Sequence, residues 1–326
     1  MFFKQLKFLY KSKRSDILET PKVDILLSVY KPSEIFLVKQ LQSINRQTYK
    51  NIEVIINDDC PSSKCDISLF EKYLTNIPYR VLPSKKNLGY IKSFEKLSNA
   101  ATGKYVAYCD QDDIWHEDKI EKSIQAFQKN KDVLVVVSDR KLIDENDNVI
   151  CESVKHQNKN NSDNYKLDEV CKRNFFLTFV PGMCIVAKTD FIKSIIPFSV
   201  YTGHDKWILA CASVNNQITY VDDTLVYYRR HGANVTGVLE GINSKKDYLE
   251  DRIYPCISLI NEFLDRYPNF SDKDEVLGFA QARLHHNVFK LFKYRYLAPS
   301  IAAFELVISW MPDFLFKAIL NFIRKK

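Results

Sequence analysis

Three carboxylates within four residues, Asp110, Asp112 and Asp113, follow directly on the apolar run Tyr105 to Tyr108. Like charges this close repel one another, so such a cluster is costly without a cation. At a strand end these hard oxygen donors suit Mg²⁺ or Mn²⁺, with a diphosphate completing the shell. An acidic surface turn is the plainer alternative, but the apolar strand before it and Ile114-Trp115 after it oppose a freely solvated loop. A second acidic pair, Asp58-Asp59, ends the apolar run Ile52 to Ile56 and on its own reads as a turn initiator. Asp205 is the lone acid of Gly203-His204-Asp205-Lys206-Trp207, ahead of the apolar segment 207–213. One carboxylate suffices as a general base for a hydroxyl, and the position equally suits a helix cap. Finally Arg229, Arg230 and His231 lead into a glycine-containing loop, where guanidiniums can contact a diphosphate and an imidazole can ligate a metal.

Each of these groups needs an element to hold it. Val23 to Val29 is a short β-branched apolar run after Pro21 and reads as a buried strand. Lys31-Pro32-Ser33-Glu34 can start a helix with apolar positions Ile35, Leu37, Val38, Leu41 and Ile44. Ile52 to Ile56 is a second strand, followed by a helix near Ile67 to Leu74 and a strand at Tyr79 to Leu82. Asn87-Leu88-Gly89 opens a helix through Ala101, and Tyr105 to Tyr108 is a fourth strand. This alternation predicts an α/β fold, a mostly parallel sheet with helices on both faces. The polar groups recur just past the C-terminal ends of strands, where open α/β sheets bind ligands. Val133 to Val137 reads as a further strand, 156–164 as a polar loop, and Pro181-Gly182-Met183-Cys184 as a strand opening with Gly182 as its bulge. Beyond about residue 245 the pattern turns helical, over 247–266, 273–294 and 298–323.

With 46% hydrophobic and 13% aromatic residues, a chain of 326 residues can bury a real core, which excludes global disorder. The eight cysteines are scattered without C-x-x-C pairs, which argues against structural zinc and for ordinary thiols in a reducing compartment. The N-terminus shows no long apolar core or small-residue cleavage site of a secretory signal. Charge is unevenly placed. Lys4, Lys7, Lys11, Lys13 and Arg14 open the chain and Lys317, Arg324, Lys325 and Lys326 close it, with no acid among the first fourteen or last ten residues. Because the net charge is only +7, the body between is near neutral, unlike the basic stripe of a nucleic-acid binder.

The ordered motifs resemble a family 2 glycosyltransferase of the GT-A fold, most similar to its bacterial rhamnosyltransferase-like branch. The residues that carry the likeness are VDILLSVYKP at 23–32, QSINRQTYKNIEVIINDD at 42–59, NLGYIKSF at 87–94, GKYVAYCDQDDIW at 103–115, GHDKW at 203–207 and YYRRHGANVTG at 227–237. The resemblance implies an inverting enzyme that moves a sugar from a nucleotide-sugar donor, dTDP-rhamnose or a UDP-sugar, to a glycan acceptor. It places Ser28 and Tyr30 in the nucleotide pocket, Asp59 on the base edge, and Asn87 and Gly89 beside the donor. Asp110 faces the ribose or the metal, Asp112 is the main ligand of Mn²⁺ or Mg²⁺, and Asp113 supports the loop. Asp205 is the base. Arg230 and His231 belong to the donor site, with His231 a metal ligand as well. Gly182, His204 and Trp207 fall on the acceptor side. The family's Gly-Ser after the acidic pair is here Cys60-Pro61-Ser62, which alters that loop.

The resulting division is a basic amphipathic segment at 1–20, a glycosyltransferase domain at 21–240 and a C-terminal helical region at 241–326. Residues 313–325 form a wide apolar face with polar positions at Asp313, Lys317, Asn321 and Arg324. Even about 15 residues of helix are only about 22 Å long, too short to span a membrane and suited to its interface. Residues 2–11 repeat the pattern, so the expected location is cytoplasmic, peripheral at the inner face of the cell membrane, with a lipid-linked or oligosaccharide acceptor. Docking on the protein's own core, or a homodimer interface, is the alternative for these faces. Against the enzyme stand an inactive glycosyltransferase-like subunit and a nucleotidyltransferase. The former needs none of Asp59, Asp112 and Asp205, and the latter's Gly-rich basic signature is replaced by Tyr30-Lys31-Pro32-Ser33. A dinucleotide-dependent oxidoreductase lacks its G-x-G-x-x-G.

Overall fold

A computed structural model describes residues 20–157, 166–231 and 241–324. The N-terminal amphipathic segment, most of the polar loop at 156–164 and the loop from Gly232 onward lie outside these described residues.

Strands β1 (Val23–Val29), β2 (Ile52–Asp58), β3 (Tyr79–Leu82) and β4 (Tyr105–Cys109) alternate with helices α1 (Glu34–Asn45), α2 (Ser68–Tyr73) and α3 (Tyr90–Ala100). The four strands pair in parallel in the order β3-β2-β1-β4. Because β1 is buried on both faces, its sequence is a continuous apolar run rather than an alternating one. Register sets the site. Val29 pairs with Asp58 and Leu27 with Cys109, so Tyr30, Asp59 and Asp110 leave neighbouring strands at the same edge.

Beyond β4 the sheet becomes mixed. After β5 (Ile114–Trp115) and α4 (Lys119–Lys129) come β6 (Val135–Ile143), β7 (Val149–Cys151), α5 (Val154–Gln157), α6 (Val170–Arg173), β8 (Ile185–Lys188), α7 (Thr189–Ser194), α8 (His204–Ser213) and β9 (Ile218–Arg229). The nine-stranded sheet continues β4-β8-β6-β9-β5, with β8 antiparallel to both neighbours and β6 parallel to β9. The two-residue strand β5 pairs antiparallel with β9, Ile114 with Tyr227 and Trp115 with Val226. That short pairing folds the acidic loop against the end of β9. Gly182 to Cys184 form a 3₁₀ turn just before β8.

The C-terminal stretches are more broken than periodicity alone predicts. Helix α9 (Lys245–Tyr248) runs through a π turn, Leu249–Ile253, into α10 (Tyr254–Arg266). The stretch 273–294 divides into α11 (Lys273–Leu284) and α12 (Val288–Tyr294) at His286, whose φ of 49° is left-handed. The stretch 298–323 divides into α13 (Pro299–Ser309) and α14 (Asp313–Arg324) around Pro312, which cannot continue a helix. Helices α10 and α11 share the sheet's core. Phe263 meets Phe175 edge to face at 4.9 Å between ring centres, and Phe279 meets Phe176 at 4.7 Å. Helix α14 divides its apolar face. Phe316 is 1% exposed and, with Leu320, packs on Ile242, Tyr248 and Ile308, while Phe314 is 74% exposed. All eight cysteines are free thiols, six of them buried.

Candidate active site

Four chain segments meet at the C-terminal edge of β1, β2 and β4. The loop after β1 is tied to the acidic loop by a two-way bond: Tyr30 N–H donates to Gln111 Oε1 at 2.7 Å, and Gln111 Nε2 donates to the Tyr30 carbonyl at 3.1 Å. The Tyr30 ring itself is 45% exposed, an available face at this edge. Ser28 Oγ lies 2.7 Å from Ser93 Oγ, which also accepts from Asn57 Nδ2, whose Oδ1 in turn accepts from Lys96. Ser28 thus belongs to a network linking β1, β2 and α3.

Asp59 is buried, and its two oxygens accept the backbone amides of Leu88 and Gly89 at 2.8 Å each. A hydrogen bond to a base edge would have to use its remaining lone pairs. Asn87 Oδ1 also accepts from Gly89 N–H, and Gly89 takes φ +76°, a conformation that side chains rarely adopt. Asp59, Asn87 and Gly89 are therefore one unit, which aims the start of α3 at the edge. Asp58 organises the Cys60-Pro61-Ser62 turn by accepting from Cys60 and Cys65 N–H.

The acidic loop splits into three roles. Asp112 Oδ2 lies 2.9 Å from His231 Nε2. Asp113 is fully buried and accepts the Arg229 amide at 3.0 Å, and burial, with the charges of Asp112 and Asp110, holds its carboxyl well above the usual range. Burial first, then Asp112 and Asp205, push the Asp110 carboxyl up to about 7. The organiser is Arg229. Its guanidinium donates to the Asp112 carbonyl at 2.9 Å, to the Asp144 carbonyl at 3.0 Å and to Asp147 Oδ1, and it stacks over Phe36 at 4.4 Å. Arg230, which motif reading places at the donor, is exposed, and its backbone N–H bonds the Ile143 carbonyl. Residue type could not separate the two arginines; their inward and outward faces on a strand end do.

Asp205 stands in the first turn of α8, whose N-cap is Gly203, so it is not the cap itself. Its charge acts on both Asp110 and the Tyr90 hydroxyl, which places it beside the acidic loop and the start of α3. His204 points the other way. It is buried between Phe94, at 4.2 Å between ring centres, and Tyr108, at 4.9 Å, and neither ring nitrogen has a partner among the described residues. Burial lowers its pKa to about 4, so it is a neutral imidazole. A Cβ at Gly182 would sit 2.5 Å from its Nε2, which explains the glycine. Trp207 is 1% exposed and donates to the Ile195 carbonyl at 3.0 Å. Gly182, His204 and Trp207 are thus core residues that hold α8 in place. All three positions, expected on the acceptor side, are buried in this structure.

Among the described residues no group of three or more His, Cys, Asp or Glu side chains is arranged to hold a metal ion unaided. Asp112 and His231 do stand side by side, and a cation nearby would relieve the raised Asp110 carboxyl.

Over 220 residues the chain is 29% identical to an uncharacterized glycosyltransferase of Methanocaldococcus jannaschii, covering 65% of this chain and 72% of the relative. It is 26% identical over 217 residues to an uncharacterized glycosyltransferase of Nostoc sp., covering 65% of this chain and 66% of that protein. Among solved structures, Staphylococcus aureus TarS 1-349 in complex with UDP-GlcNAc superposes with a TM-score of 0.56 at 17% identity, over 86% of this chain and 82% of that one. A mannosyltransferase of Pyrobaculum calidifontis in complex with GDP-Man and Mn²⁺ gives 0.54 at 16% identity, over 93% and 83%. Both share the fold. The model of Glycosyl transferase family 2 matches residues 25–194, more than half of the chain, and the chain belongs to that family.

Proposed function

We propose that the protein is an inverting, divalent-metal-dependent glycosyltransferase that draws a sugar from a nucleotide-sugar donor onto a glycan in bacterial cell-surface polysaccharide synthesis. The observation that supports this reading is that hydrogen bonds tie the acidic loop to Tyr30 and bring His231 to Asp112, with the charge of Asp205 also acting on Asp110. Donor and base are then neighbours. Tyr30, Asp59, Asn87 and Gly89 frame the nucleotide, with Ser28 behind them. Asp112, with Asp110 and His231, would hold Mn²⁺ or Mg²⁺, which when bound stabilises charge on the departing nucleoside diphosphate. Asp205 takes the proton of the acceptor hydroxyl as its oxygen bonds the anomeric carbon. The bond from that carbon to the phosphate oxygen breaks, and its electron pair leaves with the diphosphate. One displacement inverts the anomeric configuration.

The rhamnosyltransferase-like motifs favour dTDP-rhamnose as donor over UDP-hexoses. The TarS and Pyrobaculum complexes, with UDP-GlcNAc and GDP-Man, keep other nucleotide sugars as the second reading. Membrane association at the inner face is the placement that fits the basic ends and the exposed Phe314, Leu315 and Ile319 of α14. Among the described residues no helix is long and apolar enough to cross a membrane. The division into residues 21–240 and a helical region from 241 remains part of this reading. A hydrolysis screen of nucleotide sugars with Mn²⁺ or Mg²⁺, followed by the anomeric configuration of the transferred sugar, tests it. Turnover of one donor with inversion is expected; retention, or no turnover of any donor, overturns it.

A further inference from the structure

Beside Asp205 a cavity of about 600 Å³ opens between the α8 region and the C-terminal helices. Tyr201 and Thr202 line it from just before the candidate base, and Lys206 from just after. Helices α10, α11 and α13 close it, with Cys256, Arg283 and Phe304 among their contributions, and Arg252 joins them from the π turn before α10. Phe175 and Phe176 line it from within the segment matched by the family model, and the walls from Tyr201 onward lie beyond that segment.

Its cations are not equally engaged. Arg283 is buried and donates to Glu305 Oε1 at 2.9 Å and to Tyr248 Oη at 3.3 Å, so its charge is answered inside the protein. Arg252 stands next to Asp251, which also lines the cavity. Lys206 differs. Its backbone carbonyl accepts Asn174 Nδ2 at 2.8 Å, but among the described residues its ammonium meets no hydrogen-bond acceptor and no carboxylate within ion-pair distance. Burial lowers its pKa, as does the charge of Arg283, and the charge of Asp205 offsets this only in part. An ammonium drawn half out of water without a counter-ion is costly unless a ligand answers it. The rest of the wall, Phe175, Phe176, Leu259 and Ile301, suits the apolar body that such a ligand carries.

We propose that this cavity is an acceptor subsite in which Lys206 pairs with an oxyanion, a phosphate or carboxylate, carried by the acceptor, so that the acceptor is an anionic glycan and not a neutral one. The proposal rests on the reading of Asp205 as base, the neighbour of Lys206 in the first turn of α8.

The test uses the full chain with UDP and Mn²⁺ saturating the donor edge. Phenyl phosphate, benzoate and the neutral benzyl alcohol are titrated by ligand-observed NMR into the wild type and Lys206→Met. Phenyl phosphate or benzoate should bind the wild type, at least about tenfold more weakly to Lys206→Met, and benzyl alcohol should not compete. The tighter of the two anions identifies phosphate or carboxylate as the group read. Equal binding by Lys206→Met, or equal binding of benzyl alcohol, overturns the proposal. Should the variant not fold, protection of wild-type Lys206 from amine acetylation by the same anions, read by peptide mass, decides in its place; no protection overturns it. UDP binding is recorded separately. Failure of the anions with UDP bound defeats this inference alone, whereas failure of every nucleotide with Lys206 still protected defeats the donor reading alone.

Discussion

His231 Nε2 lies 2.9 Å from Asp112 Oδ2, joining a residue just past β9 to the acidic loop after β4. The link depends on the short β5–β9 pairing, which brings Ile114 opposite Tyr227. If this pair holds a cation together with the donor diphosphate, nucleotide affinity is metal-dependent. Calorimetry of UDP and dTDP should show binding with Mn²⁺ that EDTA abolishes, and Asp112→Ala should weaken it by about 10²-fold, His231→Ala by about tenfold. Equal affinity in EDTA removes the metal from the reading.

Asp205→Asn should cost about 10²–10⁴-fold in transfer, because an amide cannot take the acceptor proton at neutral pH. Donor affinity, measured by the same calorimetry, should change little if Asp205 serves the acceptor. A variant within threefold of wild type in transfer would leave Asp205 only its backbone contact with Lys206 N–H.

Gly182 and His204 interlock. Gly182→Ala places a methyl 2.5 Å from His204 Nε2 with no room to yield among Phe94 and Tyr108, so it should destabilise the fold by about 1–3 kcal/mol. Gly182→Ala in a His204→Ala background should cost much less than in the wild type, a non-additivity that chemical denaturation reads directly. Additive losses would show that the contact is not what excludes a side chain.

His204 also sets an acid limit. Its pKa falls from an ordinary 6.5 to about 4 in the folded protein, by burial. As pH drops below about 6.5 the unfolded chain takes up a proton that the folded chain refuses until about pH 4. The unfolded state therefore binds more protons across this window, and stability falls as pH falls through it, by up to about 3 kcal/mol. His204→Leu should flatten the dependence of melting temperature on pH between 6.5 and 4. An unchanged slope would assign the acid sensitivity elsewhere.

Helix α14 makes two different predictions from neighbouring residues. Phe316→Ala removes a side chain packed on Tyr248 and Ile308 and should lower stability by about 3–5 kcal/mol. Phe314→Ser touches no core and should leave stability unchanged while weakening retention on anionic liposomes in a sedimentation assay. Undiminished liposome binding by Phe314→Ser with Ile319→Ser would exclude this face as the membrane contact.

What sequence determined by itself was the chemistry that could be present. Continuous apolar runs ending in Asp58-Asp59 and Asp110-Gln111-Asp112-Asp113 identify parallel strands and the edge at which ligands bind, because a strand buried on both faces has no polar alternation to offer. Register and pairing are long-range, and only the tertiary structure decided them. The β5–β9 pairing chooses Arg229 over Arg230 as the buried organiser and brings His231 to Asp112, across more than a hundred residues that no local pattern spans. Helix α8 turns Asp205 toward the acidic loop and His204 into the core one residue away, a 100° step that a motif string cannot express. Helix α14 has one apolar wheel in sequence, yet packing on Tyr248 and Ile308 buries Phe316 and leaves Phe314 in solvent, because burial depends on the neighbour and not on the residue.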